Sequence, residues 1–227
     1  MKLIFVRHGH PDYAKDCLTE LGHAQARAVA KRLENETIRH IYASSCGRAV
    51  ETAEYIAKVH GMDVEQCDFM REISWGSTDD TPLALNGHPW RVVDAMAADG
   101  QPLLNPNWAT EEPFSRNKVV ARVEYIGQEF DKLLAKHGYE RDGDYYRVCT
   151  KNDDTYVIAS HGGASSSVWA RMFNLPFPFI CASVHPEFTS ITIVELNGEE
   201  GTRIEPRFLT LNEYKHIEGL ETELVYE

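Results

Sequence analysis

The chain has 227 residues, is 43% hydrophobic and carries 35 acidic against 23 basic side chains, a formal charge of -12. That length and apolar content suffice for a sizeable core in one domain. The acidic balance excludes the broad basic face that nucleic acid or an anionic membrane requires, although a few arginines in a cleft can still receive a small anionic substrate.

In chain order, Leu3-Ile4-Phe5-Val6 reads as a buried strand stopped at Arg7-His8-Gly9, where the glycine permits a sharp turn. This apolar run is too short for a signal h-region, and no later stretch approaches the length of a membrane span, so a cytoplasmic protein is expected. Thr19 is placed to cap a helix running to about residue 35, with Leu21, Ala24, Ala28 and Leu33 on one face. Ile38 to Ala43 reads as a second strand. After Ser44-Ser45-Cys46-Gly47, a helix over Arg48 to Val59 turns Ala49, Ala53, Ile56 and Ala57 inward and stops at Gly61. Val64 to Met70 is extended and leads into Arg71-Glu72-Ile73-Ser74-Trp75-Gly76.

Residues 77 to about 113 are rich in Pro, Asn, Gly and Trp, with a short helix near Trp90 to Ala98; irregular segments of this length serve as lids or binding loops. Val119, Val123, Ile126, Phe130, Leu133 and Leu134 mark a long amphipathic helix ending before Gly138. Tyr145 to Thr150 is expected as a strand beside the one at Tyr156-Val157-Ile158-Ala159, which runs into Ser160-His161-Gly162-Gly163. A helix follows His161. Ser190 to Leu196 and Arg203 to Leu211 then give two closing strands about the Asn197-Gly198 turn, and Glu218 to Glu227 reads as a solvated acidic tail. Strands alternating with helices give an α/β fold, a three-layer α/β/α sandwich with a mostly parallel central sheet and at least one antiparallel strand near the carboxyl terminus. Residues 1–227 are expected to form one domain, with a variable cap at about 77–118.

In an open α/β sheet the ligand crevice lies beyond the carboxyl ends of the strands, so His8 and His161 are expected at one mouth. Two imidazoles and an arginine meeting there suit phosphate chemistry. His8-x-His10, without a nearby carboxylate ladder, makes a poor zinc site. The five cysteines, Cys17, Cys46, Cys67, Cys149 and Cys181, are scattered and never spaced Cys-x-x-Cys, which points to free thiols. Trp75, Trp90 and Trp108 could wall a pocket or simply pack in the core.

The residues Val6-Arg7-His8-Gly9, Leu18-Thr19-Glu20-Leu21-Gly22-His23-Ala24-Gln25-Ala26, Ile41-Tyr42-Ala43-Ser44 with Arg48-Ala49-Val50-Glu51-Thr52-Ala53, Arg71-Glu72-Ile73 near Gly76, Ser160-His161-Gly162-Gly163, and Leu211-Asn212 near His216 occur in an order and spacing that resembles the histidine phosphatase superfamily, in its phosphoglycerate mutase-like branch. The likeness spans nearly the whole chain. It implies that His8 is the nucleophile, forming a phosphohistidine that water hydrolyses. A neutral imidazole is nucleophilic at cytoplasmic pH, and a backbone carbonyl can fix its other N–H.

By the same likeness Arg7, Arg48, His161 and Gly162 form the phosphate pocket, with guanidinium and imidazolium donors stabilising charge on the equatorial oxygens, so that neither metal nor cofactor is needed. The bare residues agree. Arg48 at a helix start opposes the helix dipole, and Arg7 at the end of a buried strand is costly without an anion. Glu72 is implied as general acid and later base, with Asp79 and Asp80 as substitutes. His10 and Thr19 are candidate substrate contacts. Some positions depart from the family pattern. His10-Pro11 follows Arg-His-Gly, Ala14 stands near the mutase asparagine, Ser45-Cys46 replaces Pro-Leu, and Arg116 and Lys118 correspond only loosely to the paired arginines that grip a phosphoglycerate carboxylate. These differences favour a phosphatase of a small phosphorylated metabolite over a mutase, with a non-catalytic phospholigand-binding protein as the third reading.

Overall fold

The alternation in the first strand is resolved into two cores. In the computed structural model, which describes residues 1–220, β1 (Lys2–Arg7) sends Leu3 and Phe5 to one face of the central sheet and Ile4 and Val6 to the other. On the Ile4 face lie α1 (Glu20–Leu33), through Val29, Ala30 and Leu33, and α2 (Gly47–His60), through Ala53, Ile56 and Ala57. Alanines at these contacts let the two helices lie close to each other and to the sheet. Thr19 caps α1 as expected, its hydroxyl accepting from Gly22 N at 3.1 Å.

The hairpin between β1 and α1 consists of β2 (Pro11–Asp12) and β3 (Cys17–Leu18). β4 (His40–Ser44) precedes α2, and β5 (Val64–Cys67) follows it, leading through a 3-10 turn at Asp68–Met70 to Glu72. The irregular segment then carries α3 (Pro89–Ala98), and its two ends meet at an antiparallel bridge between Ser77 and Asn117. α4 (Val119–Lys136) and α5 (Gly162–Phe173) cover the Phe5 face, where Phe130 and Trp169 flank Phe5 at ring-centroid distances of 5.7 and 5.8 Å. Before α5 come β6 (Tyr139–Asp142), β7 (Tyr145–Val148) and β8 (Thr155–Ser160); after it, α6 (Phe177–Ser183), β9 (Ile191–Glu195), β10 (Arg203–Ile204) and β11 (Arg207–Glu213).

The six-stranded sheet runs β11-β9-β1-β8-β4-β5, with β1, β8, β4 and β5 parallel, β9 antiparallel to β1, and β11 antiparallel to β9 at the edge. The expected three-layer α/β arrangement is therefore present. Two expectations are corrected. β7 does not pair with β8, because β1 and β4 take both flanks of β8; it joins β6 and β10 in a separate three-stranded sheet. Arg203 to Leu211 is not one strand either. Pro206 cannot donate to a ladder, and the chain divides there between the small sheet and the large one. Of the acidic tail, residues 221–227 lie outside the described residues. No helix among the described residues is long and apolar enough to cross a membrane.

Candidate active site

Register brings the two histidines together. Arg7 of β1 pairs with Ser160 of β8, and one residue further on the His8 amide donates to the Ser160 carbonyl at 2.8 Å. The rings stand 5.1 Å apart between centroids, His8 at 1% exposure and His161 fully buried.

Their nitrogens are assigned by what faces them. His8 Nδ1 lies 2.8 Å from the Gly9 carbonyl, which only accepts, so Nδ1 holds the proton. Arg48 Nε, which only donates, faces His8 Nε2 at 3.3 Å, so that nitrogen presents its lone pair. Arg48 Nη2 likewise faces His161 Nδ1 at 3.1 Å, while His161 Nε2 lies 2.8 Å from Ser44 Oγ. Both rings are thus neutral in this structure. Burial, with the charge of the nearby arginines, holds each well below the ordinary histidine value. The imidazolium expected from the sequence is corrected for His161: an N–H at Nδ1 would point into a guanidinium.

Arg48 starts α2 and is 9% exposed. Its Nη1 forms an ion pair with Asp16, whose other carboxylate oxygen accepts from the Gly47 amide at 2.8 Å and so closes the α2 N-terminus. A Cβ on Gly47 would fall 2.1 Å from the Asp16 carbonyl, so only glycine lets the hairpin seat here. Asp16 adopts φ 52°, a left-handed conformation unusual for a residue with a side chain. Tyr13 of the same hairpin lays its ring 5.3 Å from the Arg48 guanidinium carbon.

Arg7 stacks its guanidinium 4.1 Å above Phe188 and donates from Nη1 to the Pro186 carbonyl at 2.6 Å. Asn212 braces that loop, accepting from Glu187 N at 2.9 Å and donating to the His185 carbonyl at 2.8 Å. Arg7 Nε is buried without a hydrogen-bond partner among the described residues, and it lies 4.0 Å from where a Cβ on Gly162 would stand. A buried, unpartnered donor beside two imidazoles and a second guanidinium has the chemistry to receive an oxyanion.

Glu72 reaches the amino end of α5, its Oε1 accepting from Ala164 N at 3.1 Å and from Ile73 N at 2.9 Å. Gly163 makes this approach possible, since a Cβ there would sit 2.6 Å from that oxygen. Burial pushes the carboxyl up despite these bonds and the charges of Arg7 and Arg48. A carboxyl so raised can hold a proton for a leaving oxygen.

Arg7, His8, Arg48, Glu72, His161 and Gly162 are therefore neighbours. His10 and Thr19 are engaged with each other, His10 Nδ1 to Thr19 Oγ1 at 2.9 Å, and the His10 amide is held by Gln25 Oε1 at 2.7 Å. Asp79 is exposed and engaged with Ser77, Thr81 and Arg116, and Arg116 also pairs with Glu112. Trp108 packs on Phe114 and Phe177, Trp75 on His88, and Trp90 reaches within 4.0 Å of the Gly162 Cβ position. Sequence reasoning gave no role to Asp16, Tyr13, Thr52 or the Pro186–Phe188 loop. Thr52, whose hydroxyl takes the Gly9 amide at 3.0 Å and donates to the Arg48 carbonyl at 2.8 Å, joins the two strand-end turns.

The family model for the histidine phosphatase superfamily, branch 1, matches residues 3–205. The chain belongs to that superfamily. Among curated relatives it is 38% identical over 124 residues to "Probable phosphoglycerate mutase GpmB" of Yersinia pestis, covering 53% of this chain and 58% of that one. The chain spans about half the length of the curated relatives it matches. Among solved structures, a mycobacterial glucosyl-3-phosphoglycerate phosphatase superposes with a TM-score of 0.63 at 23% identity, covering 93% of this chain and 98% of that one. A phosphoserine phosphatase from Entamoeba histolytica, in complex with 3-phosphoglyceric acid, gives a TM-score of 0.61 at 19% identity, covering 95% and 98%. At those identities the likeness to both structures establishes the shared fold.

Proposed function

We propose that the protein is a phosphomonoester hydrolase that releases phosphate from a small phosphorylated metabolite through a phosphohistidine on His8. The observation that carries this reading is the His8 Nε2 lone pair facing the Arg48 guanidinium, with the neighbouring Arg7 left buried and unpartnered at Nε. A phosphoryl group entering between the rings takes over the Arg48 hydrogens that the imidazole nitrogens hold in the free protein. Two fixed guanidinium groups and the open start of α5 at Gly162 then face its equatorial oxygens, supplying the charge stabilisation that other enzymes take from a metal ion.

The His8 Nε2 lone pair forms the P–N bond as the ester P–O bond breaks, and the proton on Glu72 passes to the departing oxygen. In the second half, the Glu72 carboxylate takes a proton from water, the water oxygen attacks phosphorus, and the P–N electron pair returns to His8. Asp16 holds Arg48 in place for both steps. The segment at about 77–118 caps the pocket and selects the leaving group.

A phosphoglycerate-type mutase is the second reading, favoured by the name of the curated relative. It requires the phosphohistidine to survive and return its phosphoryl group to a second position. Phosphate release from phosphorylated sugars, nucleotides, acids and p-nitrophenyl phosphate, with and without chelator and beside product analysis for isomers, separates the two. Free phosphate is the expected product, insensitive to chelator; accumulation of an isomer without phosphate would establish the mutase.

A further inference from the structure

Arg7 and Arg48 account for the phosphoryl oxygens in the hydrolase reading, on which this inference rests. Two further arginines stand on the Glu72 side. Arg122, in the first turn of α4, donates from Nη2 to the carbonyls of Phe69 and Arg71 at 3.1 and 2.8 Å, fixing the turn that delivers Glu72. Arg71 immediately precedes Glu72, and its guanidinium crosses to the loop after β4, where Nη1 donates to Ser45 Oγ at 3.2 Å. Ser45 follows Ser44, the partner of His161, and lies three residues before Arg48. Arg71 therefore rims the same crevice from the side where a leaving group departs toward Glu72. Its charge, like that of Arg122, is felt at His161.

Seven of the fourteen arginines have a carboxylate partner among the described residues, and Arg71 is one of the seven that do not, distinguished by its place beside the candidate acid. The chain has 35 acidic and 23 basic side chains. Arg32, Arg39, Arg48, Arg116, Arg147, Arg171 and Arg203 each lie within ion-pair distance of an aspartate or glutamate. Arg71, exposed and beside the candidate acid, has only a serine hydroxyl among the described residues. Arg122 spends its Nη2 on backbone carbonyls, whereas most of the Arg71 fork is open to a ligand. A planar guanidinium presents paired donors that match a carboxylate or a phosphate.

We propose that Arg71, steadied by Ser45, is a specificity residue that binds a second anionic group on the leaving group, either a carboxylate or a second phosphate. The substrate class is then a phosphomonoester carrying another negative charge a few bonds from the scissile oxygen. A neutral leaving group leaves Arg71 facing water.

The test compares three esters on one carbon skeleton: glycerol 3-phosphate, 3-phosphoglycerate and glycerol 1,3-bisphosphate, with p-nitrophenyl phosphate as the general reporter of turnover. The expected result is a kcat/KM at least about tenfold higher for one of the two doubly anionic esters than for glycerol 3-phosphate. Which of the two gains identifies the group. Arg71→Gln removes most of that ratio and Arg71→Lys restores part of it, while rising salt erodes it because the site is exposed. Equal kcat/KM for all three esters, or a preference that survives Arg71→Gln, overturns the proposal. So does failure to cleave any of the three while p-nitrophenyl phosphate is hydrolysed in a His8-dependent manner. If wild type does not hydrolyse p-nitrophenyl phosphate, or His8→Ala hydrolyses it equally well, the hydrolase reading itself fails, and the Arg71 assignment with it.

Discussion

The end of the site that the proposed mechanism gives to the phosphoryl group and the end it gives to the leaving group are made of different material. At the first, His8, Arg48 and His161 sit at 1%, 9% and 0% exposure on the ends of registered parallel strands and the start of a helix, and each imidazole nitrogen has a partner. At the second, Glu72 hangs from a 3-10 turn and opens a run in which Asp80, Leu85 and Asn86 adopt positive φ, with Trp75 38% exposed. The contrast separates tasks. Phosphorus chemistry needs donors fixed before the substrate arrives, which strands supply; discrimination among leaving groups needs surfaces that vary without disturbing them, which loops supply.

The division fails if variants at the first end are selective or those at the second are not. Arg48→Ala should lower kcat by about 10²–10³-fold on every ester, by analogy with the loss of an oxyanion donor. Steady-state rates across an ester series check this, and a strongly substrate-dependent loss would break the comparison. Glu72→Gln should lower kcat on every ester, because the same carboxylate is the base toward water, whereas kcat/KM, which reports phosphorylation alone, should fall about 10²-fold on alkyl phosphates and almost not at all on p-nitrophenyl phosphate, whose leaving group needs no proton. Equal losses of kcat/KM on both would remove Glu72 from the acid role.

The smallest effect concerns stability. His8 and His161 titrate below the ordinary 6.5 when folded, so below that pH the unfolded chain binds protons that the native state refuses. Their contribution is therefore fully present above about 6.5 and is lost as pH falls. Glu72, raised above its ordinary 4.5, acts oppositely: its contribution is present below that value and is lost as pH rises toward the folded one. With two histidines against one carboxyl, the urea midpoint should fall between pH 7 and pH 5. The His8→Asn/His161→Asn double variant should flatten that slope, and a midpoint that rises on acidification would contradict the neutral assignment.

Much of this was legible in residues. Strand-end histidines, the Thr19 cap and the alanine face of α2 were readable because periods of 2 and 3.6 and a glycine turn are local signals, whereas the face of α1 was misread: Gln25, Ala26, Val29, Ala30 and Leu33 are buried, and Leu21, Ala24 and Ala28 only half-buried. The family likeness added Glu72, which no local period marks. The partner of β7 was not legible, since pairing of a short half-exposed strand is decided by which sheet edges remain. Nor was Asp16, whose meaning arises only when the hairpin folds onto Gly47 and Arg48. The charge state of His161 was misjudged because depth of burial and the approach of Arg48 are tertiary facts. Trp108 could not be told from a pocket residue by composition; it lies half-buried, packed against Phe114 and Phe177 at the edge of the core.

The central claim, that His8 Nε2 accepts the phosphoryl group, is tested most directly by rapid quench of the enzyme with a phosphomonoester, followed by peptide mapping under alkaline conditions. A phosphoryl adduct on the peptide ending β1, assigned to His8, formed within the first turnover, lost in acid and absent from His8→Ala, is the predicted result. Steady phosphate release with no adduct on His8 at any time, or undiminished release by His8→Ala, would contradict it.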